Sequence, residues 1–395
     1  MKFPFPVSIA IFATFKKMCM KPIQMVDLKQ QYFKIKKEID AAVLDVIESS
    51  IFIGGPQVNT FAQNLSQYLG VKHVIPCANG TDALQIAMMA LGLEPGDEVI
   101  TPSFTYVATT EVIALLRLKP VFVEVDTKTF CVDPDAIKKA ITPKTKAIVP
   151  VHLYGHSAKM EEIMTIAKEH NLFLIEDNAQ AIGGDYYFKD GTVKKTGIIG
   201  DIGCTSFFPS KNLGCYGDGG AMCTNNDELA EKLKMIANHG QSKRYYHDMV
   251  GCNSRLDALQ AAILNVKLPL LDSYINARIK VANFYDKAFG GNKKIITPYR
   301  ADYCKHVFHQ YTIILENVNR EGLVNFLAQN NIPSMLYYPV PAHRQKMFAS
   351  FGGSNFILEK TDWLTERVIS LPVHTELDEE QQNFITGKVL EFINK

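Results

Sequence analysis

The chain has 395 residues, 47% of them hydrophobic, and its 42 Lys and Arg nearly balance 41 Asp and Glu, for a formal charge of +1. That length and apolarity allow a large core and are long for one domain. The even charge, with no basic run longer than pairs such as Lys16-Lys17 and Lys194-Lys195, argues against a nucleic-acid partner. The eight cysteines show no CxxC pair or other zinc or disulfide spacing, so no metal site is expected and a reducing, cytoplasmic location is.

Residues 1–21 read as an N-terminal extension. Residues 3–15 are apolar and lie between Lys2 and Lys16-Lys17, somewhat like a secretory leader. The stretch has no small-x-small cleavage pattern, however, and is too short to span a membrane, so no membrane partner is expected. A surface extension and an upstream start codon, with the working chain beginning at Met18 or Met20, are the other readings, and the last is favoured.

Over 24–50, apolar Ile35, Ile39, Val43, Val46 and Ile47 keep near-helical spacing and predict one amphipathic helix, which residues 51–55 end. A helix at 58–69 follows. Strands are then predicted at 73–77, 98–102, 120–125, 147–153, 172–176, 202–208 and 221–224, with helices such as 82–91 and 159–169 between them. This alternation implies an α/β domain over 22–267, a mostly parallel central sheet with helices on both faces, and a ligand beyond the strands' carboxyl ends. Near 268–274 a long helix crosses into a smaller C-terminal α+β domain, 268–395, with strands at 309–315 and 332–338 and helices at 320–329 and 378–393. Trp363, the only tryptophan, is expected in the core.

Three features at strand ends carry chemistry. Lys211 stands in Ser206-Phe207-Phe208-Pro209-Ser210-Lys211-Asn212, between an apolar strand and a glycine-rich turn, where partial desolvation lowers an amine's pKa and makes it nucleophilic toward an aldehyde. Upstream, Leu172-Phe173-Leu174-Ile175 runs into Glu176 and Asp177. A carboxylate at a strand end in the same unit as an active lysine suits pyridoxal phosphate, whose pyridine nitrogen needs an acid beside it. Strand alternation turns Glu176 away from Asp177 and makes it structural. Earlier, Asn79-Gly80-Thr81-Asp82 opens a helix, and the free N–H groups of Gly80 and Thr81 suit a phosphate.

With NGTDAL at 79–84, PSFTYVAT at 102–109, EDNAQAIGG at 176–184, SFFPSKN at 206–212 and GCNSRLDALQAAIL at 251–264, the chain from Gln24 onward resembles the DegT/DnrJ/EryC1/StrS sugar-nucleotide aminotransferases. The resemblance implies the fold type I, aspartate aminotransferase-like architecture of enzymes that use pyridoxal 5'-phosphate. By it, Lys211 holds the cofactor and shuttles the proton, Asp177 supports the pyridinium, Tyr106 stacks on the ring, and Gln180 touches a ring substituent. Ser206 joins Gly80 and Thr81 at the phosphate. Asn253, or Arg255 in its stead, reaches the phosphate in a neighbouring subunit's site, which makes the protein a homodimer with shared sites. Residues 52–56 lie near the sugar-nucleotide entrance in the family, although a plain helix-to-loop turn reads equally well. Among polar and aromatic residues at 235–250, Lys243, Arg244, Tyr245 and His247 could reach substrate, with a solvated loop as the competing reading. His306, His309, His343 and Tyr338 fall in loops that close over the sugar nucleotide in the family.

The implied reaction moves an amine from L-glutamate to a keto sugar nucleotide. A branch that removes a hydroxyl carries histidine where Lys211 stands, so lysine argues for transamination. The segments at 240–247 and 251–257 are similar to aminotransferases of UDP-2-acetamido-2-deoxy-3-oxo-glucuronate, which serve surface polysaccharide biosynthesis, and Arg244 would meet the uronate carboxylate. A dTDP-3-keto-6-deoxyhexose or a 4-keto sugar nucleotide is the alternative substrate. A non-catalytic, cofactor-binding regulator is the alternative from another class, although the chain has no helix-turn-helix or basic patch for DNA.

Overall fold

The computed structural model describes residues 20–395, so all but the last two residues of the expected extension lie outside the described residues. The strands in chain order are β1 (His73–Cys77), β2 (Glu98–Pro102), β3 (Lys119–Val123), β4 (Thr145–Ile148), β5 (Phe173–Asp177), β6 (Asp185–Tyr187), β7 (Val193–Lys195), β8 (Ile202–Ser206), β9 (Gly220–Thr224), β10 (Gln241–Lys243), β11 (Tyr246–His247), β12 (Ile295–Ile296), β13 (Tyr311–Leu315) and β14 (Val368–Leu371). Seven of these form one sheet in the order β1-β9-β8-β5-β4-β2-β3. β2 pairs in parallel with β3 and β4, β4 with β5, and β5 with β8. β9 runs antiparallel to both β8 and β1. The sheet is mostly parallel, as the sequence implied, and all its strands except β9 end on one edge.

The apolar runs have no polar face because both sides of the sheet are covered. In β2, Val99 joins a core with Ile86 and Leu233 from the helices Gly80–Ala90 and Asp227–Ala237. Its neighbour Ile100 joins the opposite core with Ile137 and Ile163 from Pro134–Ala140 and Met160–Glu169. Ala147 and Ile148 divide between the two cores in the same way, which is the period-2 alternation of a strand.

Departures from the sequence reading are local. The expected N-terminal helix is two, Leu28–Lys34 and Lys36–Ser49, separated where Ile35 leaves helical geometry and its N–H bonds the Tyr32 carbonyl. The predicted strand at 332–338 is absent, and only Met335 makes an isolated bridge to Ser370. Pro333 lacks the N–H a ladder needs, and β14, four buried residues, takes that place beside β13. Trp363 is only partly buried; it lies on the helix Glu359–Arg367 with the Arg367 guanidinium 5.0 Å from its ring.

The helix Leu271–Phe289 leads into the second sheet, β12-β13-β14. Its Val281, Tyr285 and Phe289 share a core with the helices Arg320–Gln329 and Glu379–Ile393 and with Ile23. Among the described residues no helix is long and apolar enough to cross a membrane.

The end of β5 is fixed by a buried acid. Glu176, with no solvent exposure, accepts hydrogen bonds from His152 Nε2 (2.9 Å) and from the main-chain N–H groups of Gly197 (2.9 Å), Ile199 (2.5 Å) and Gly200 (2.7 Å). Because Ala158 N–H donates to His152 Nδ1 at 3.1 Å, the ring proton sits on Nε2, facing Glu176. In Glu176→Gln an amide NH2 meets donors on one side, leaving two of them unpaired. We expect a loss of about 2–4 kcal/mol in chemical denaturation; a loss below about 1 kcal/mol would show that the 197–200 turn is held by other contacts.

Candidate active site

The carboxyl edge of the central sheet opens on a cavity of about 630 Å³. Gly80 and Thr81, at the start of the helix Gly80–Ala90, form one wall. Asn79 caps this helix by accepting from Asp82 N–H at 2.8 Å, and the first N–H groups of any helix lack partners within it. A Cβ on Gly80 would come within 2.7 Å of the Ser206 Cβ, so glycine lets the helix start close on the end of β8. Ser206 lines the cavity at that contact.

Lys211 sits on the β8–β9 connection, a loop pinned on both flanks. Lys211 N–H donates to the Phe208 carbonyl (2.8 Å), Cys215 N–H to the Phe207 carbonyl (2.8 Å), and Asn212 Nδ2 to the Val307 carbonyl (3.1 Å). What surface Lys211 retains opens on the cavity, but the surrounding protein strips water from its amine. Burial pulls the pKa down to about 8, against the attraction of the Asp177 carboxylate.

Asp177 ends β5 at 5% exposure and faces the same cavity. Its oxygens accept from Thr109 Oγ1 (2.6 Å) and Ala179 N–H (3.1 Å), and Thr109 is itself 3.1 Å from Thr105 Oγ1. The sequence reading missed Thr109 as the holder of Asp177, although Thr105 and Thr109, four residues apart, lie in the PSFTYVAT segment.

Tyr106 and Tyr338 also line the cavity, their rings 6.0 Å apart and tilted by 44°. Tyr106 is 56% exposed, which leaves its face open to a ligand. Gln180 lines the cavity too, but both ends of its amide are engaged: Oε1 accepts from Tyr154 N–H at 2.7 Å and Nε2 donates to the Tyr338 hydroxyl at 3.0 Å. Only its second amide proton and second lone pair remain for a ligand.

His309, 4% exposed, completes this wall. Its Nε2 is 3.5 Å from Gln310 Nε2, and its Nδ1 has no partner. Burial, with the Lys211 and Arg278 charges nearby, holds the imidazole well below the usual histidine range, so it is neutral. Lys211 is the only lysine or arginine lining the cavity among the described residues, against three acids, Asp82, Asp177 and Asp218. Asp82, Asp218, Gln310 and Tyr337 are cavity residues that the sequence reading did not single out for a role.

The other predicted residues lie elsewhere. Arg244, Tyr245 and His247 belong to the exposed β10–β11 hairpin, where the Arg244 guanidinium lies 5.2 Å from the Tyr245 ring and His247 Nδ1 is 2.8 Å from the His239 carbonyl. Asn253 is exposed and bridges to Asn238, whose side chain accepts from Arg255 at 3.4 Å. None of these four predicted residues lines the cavity.

The cavity residues fit pyridoxal phosphate. A helix start closed against a serine suits the phosphate, an amine shifted to about 8 suits the aldehyde, and a buried carboxylate suits the ring nitrogen. Among the described residues no group of three or more His, Cys, Asp or Glu is placed to hold a metal ion.

Comparison with known proteins agrees with this chemistry. The chain is 46% identical to the UDP-2-acetamido-2-deoxy-3-oxo-D-glucuronate aminotransferase of Pseudomonas aeruginosa, over 90% of this chain and 96% of that protein. It is also 46% identical to a pleiotropic regulatory protein of Geobacillus stearothermophilus, over 94% and 98%. With the UDP-N-acetyl-3-dehydro-alpha-D-glucosamine 3-aminotransferase of Acidithiobacillus ferrooxidans it shares 43% identity, over 91% and 95%. Among solved structures, DesV of Streptomyces venezuelae, in complex with a ketimine intermediate, superposes with a TM-score of 0.91 at 36% identity, covering 95% of this chain and all of that one. The pattern of the DegT/DnrJ/EryC1/StrS aminotransferase family matches residues 33–390, and the chain belongs to that family.

Proposed function

We propose that the protein is a pyridoxal 5'-phosphate-dependent transaminase that moves an amine from L-glutamate to a 3-keto sugar nucleotide. The substrate is UDP-2-acetamido-2-deoxy-3-oxo-glucuronate, and the product serves surface polysaccharide biosynthesis in the cytoplasm. The observation that carries this reading is the partly desolvated Lys211, its pKa near 8, in one cavity with Asp177. The identity to the P. aeruginosa enzyme supports the choice of sugar.

When bound, the cofactor supplies an electron sink for the carbanion at the donor's α carbon. Lys211 Nζ holds the cofactor between turnovers, takes up the donor's α proton as a free amine, and returns it on the other side of the transfer. Asp177, held by Thr109 and Ala179 N–H, keeps the ring nitrogen protonated. Gly80, Thr81 and Ser206 take the phosphate, Tyr106 covers the ring face, and Gln180 reaches the ring's edge with its remaining proton. His309 and Tyr338 contact substrate from the small-domain side, with the domains dividing at residue 267.

Three observations support a homodimer with shared sites. One lysine is too little positive charge for a cofactor phosphate, a diphosphate and a donor carboxylate. The exposed cations and amide of the 241–255 region, Arg244 and Asn253 among them, lie outside their own cavity, and Ile47, Ile51, Phe52 and Ile53 leave an apolar surface uncovered. In the assembled pair, Asn253 joins the neighbouring phosphate site, and Arg244, Tyr245 and His247 face the neighbouring substrate, Arg244 at the uronate carboxylate. A sugar lacking that carboxylate is the second reading, favoured by the absence of any arginine from the described cavity wall and by the A. ferrooxidans relative.

The purified protein mixed with pyridoxal phosphate is expected to develop a visible absorbance band that L-glutamate removes with release of 2-oxoglutarate. Among keto sugar nucleotides tested next, the uronate should restore the band fastest. A band that forms but is indifferent to amino donors would favour a regulator, as one relative is named. In Lys211→Ala we expect no turnover and a cofactor that dialyses away; retained turnover would end the assignment. In the cofactor-free protein the Lys211 amine should react with an acylating reagent, followed by mass spectrometry, with a midpoint near pH 8. Its pKa lies below the ordinary lysine value, so the free base appears as pH rises through about 8, and near pH 8 roughly a hundredfold more amine is unprotonated than in an exposed lysine. A midpoint near 10.5 would show that the cavity leaves the amine solvated.

A further inference from the structure

Arg278 lies outside the cavity wall, on the helix Leu271–Phe289, and is 3% exposed. A buried guanidinium ordinarily has a carboxylate beside it; among the described residues this one has none. Its Nη1 instead donates to three carbonyls, those of Val373 (2.7 Å), His309 (3.3 Å) and Phe308 (3.4 Å), while its Nε has no partner. Two of the three carbonyls belong to the turn that delivers His309 to the cavity. In this turn Phe308 sits at φ +47°, a left-handed backbone unusual for an aromatic residue. The turn is tied on its other sides as well: Val307 N–H donates to the Gly155 carbonyl at 2.9 Å, and the Val307 carbonyl accepts from Asn212, the residue after Lys211. Gly155, at φ +98°, leaves no room for a side chain, since a Cβ there would come 2.9 Å from the amide nitrogens of Phe308 and His309.

We infer that Arg278 is a positioning residue for the amine-transfer site: by gripping the Phe308 and His309 carbonyls it fixes the His309 imidazole in the wall that Lys211 shares. The inference rests on the transaminase reading of the cavity. A guanidinium suits the task because its rigid plane holds Nη1 in a fixed place among the three carbonyls, whereas a lysine in its place keeps the charge but ends about one bond short of them, on a more flexible stem. The charges acting on His309 are the Lys211 amine and the Arg278 guanidinium, and Gln310 Nε2 lies 3.5 Å from its Nε2, so a shifted imidazole changes its surroundings and its NMR signal even without turnover.

The test is Arg278→Lys, compared with Val281→Ala, a truncation one turn along the same helix in the small-domain core. In R278K the single-turnover reaction of the holoenzyme with L-glutamate should slow by about 10- to 100-fold with a smaller change in KM. In the cofactor-free protein, the His309 ring signal, assigned by its loss in His309→Asn, should move. V281A should lower the melting temperature without either effect. Should R278K not fold, R278Q, which keeps one amide donor, is read in the same way. A variant at 278 that reacts within about twofold of V281A and leaves the His309 signal in place overturns the inference. If even the unaltered protein ignores L-glutamate, the transaminase reading fails, and the NMR comparison alone decides whether Arg278 places His309.

Discussion

The end of β5 depends on one buried carboxylate. Glu176 gathers four donors from two segments, the 197–200 turn and His152, and so determines where β8 begins and how the chain after β4 returns across the sheet edge. A carboxylate with no solvent exposure is costly unless its lone pairs are met, and here each oxygen receives two donors. The residue after it, turned by strand alternation to the other side, is Asp177. A rigid Glu176 thus positions Asp177, and through β8 it also sets the start of the loop that carries Lys211.

Much of this was legible from the sequence because it follows from periodicity and strand ends. The seven strands of the central sheet fall within a few residues of the predicted spans, and Gly80, Asp177, Ser206 and Lys211 share the edge that the alternation of strands and helices required. The separation of Glu176 from Asp177 needed only the two-residue period. What misled was an apolar run read without its prolines: residues 332–338 have strand-like composition, but Pro333 cannot supply a ladder N–H and β14 takes the place. The break at Ile35 left no such mark, since the apolar spacing runs through it.

Arg278 and Thr109 were illegible for a different reason. Arg278 acts on main-chain carbonyls, which every residue possesses, so nothing in its neighbours' identities announces the contact. Thr109 works through Asp177 across 68 positions of sequence, and only the folded chain brings the two together. The hairpin residues Arg244, Tyr245 and His247 are the opposite case. Their composition announces binding chemistry, but their own fold places them in solvent away from the cavity. A sequence pattern specifies chemistry without saying where the folded chain will place it.

The three buried or part-buried cations around the site show how reactivity is allotted. Arg278 is shielded by carbonyls and keeps its charge, since even with burial its pKa falls only to about 10. Lys267, at 1% exposure, donates to the Gly214 carbonyl and lies 5.2 Å from the Tyr216 ring. Burial lowers it to about 8, as it does Lys211, but it is shut away from the cavity. Lys211 has no hydrogen-bond acceptor for its amine among the described residues, and what surface it retains faces the cavity. Desolvation makes both amines less basic, with a pKa of about 8, so each is partly unprotonated near neutral pH; of the two, Lys211 is the one that lines the cavity, beside the Asp177 carboxylate.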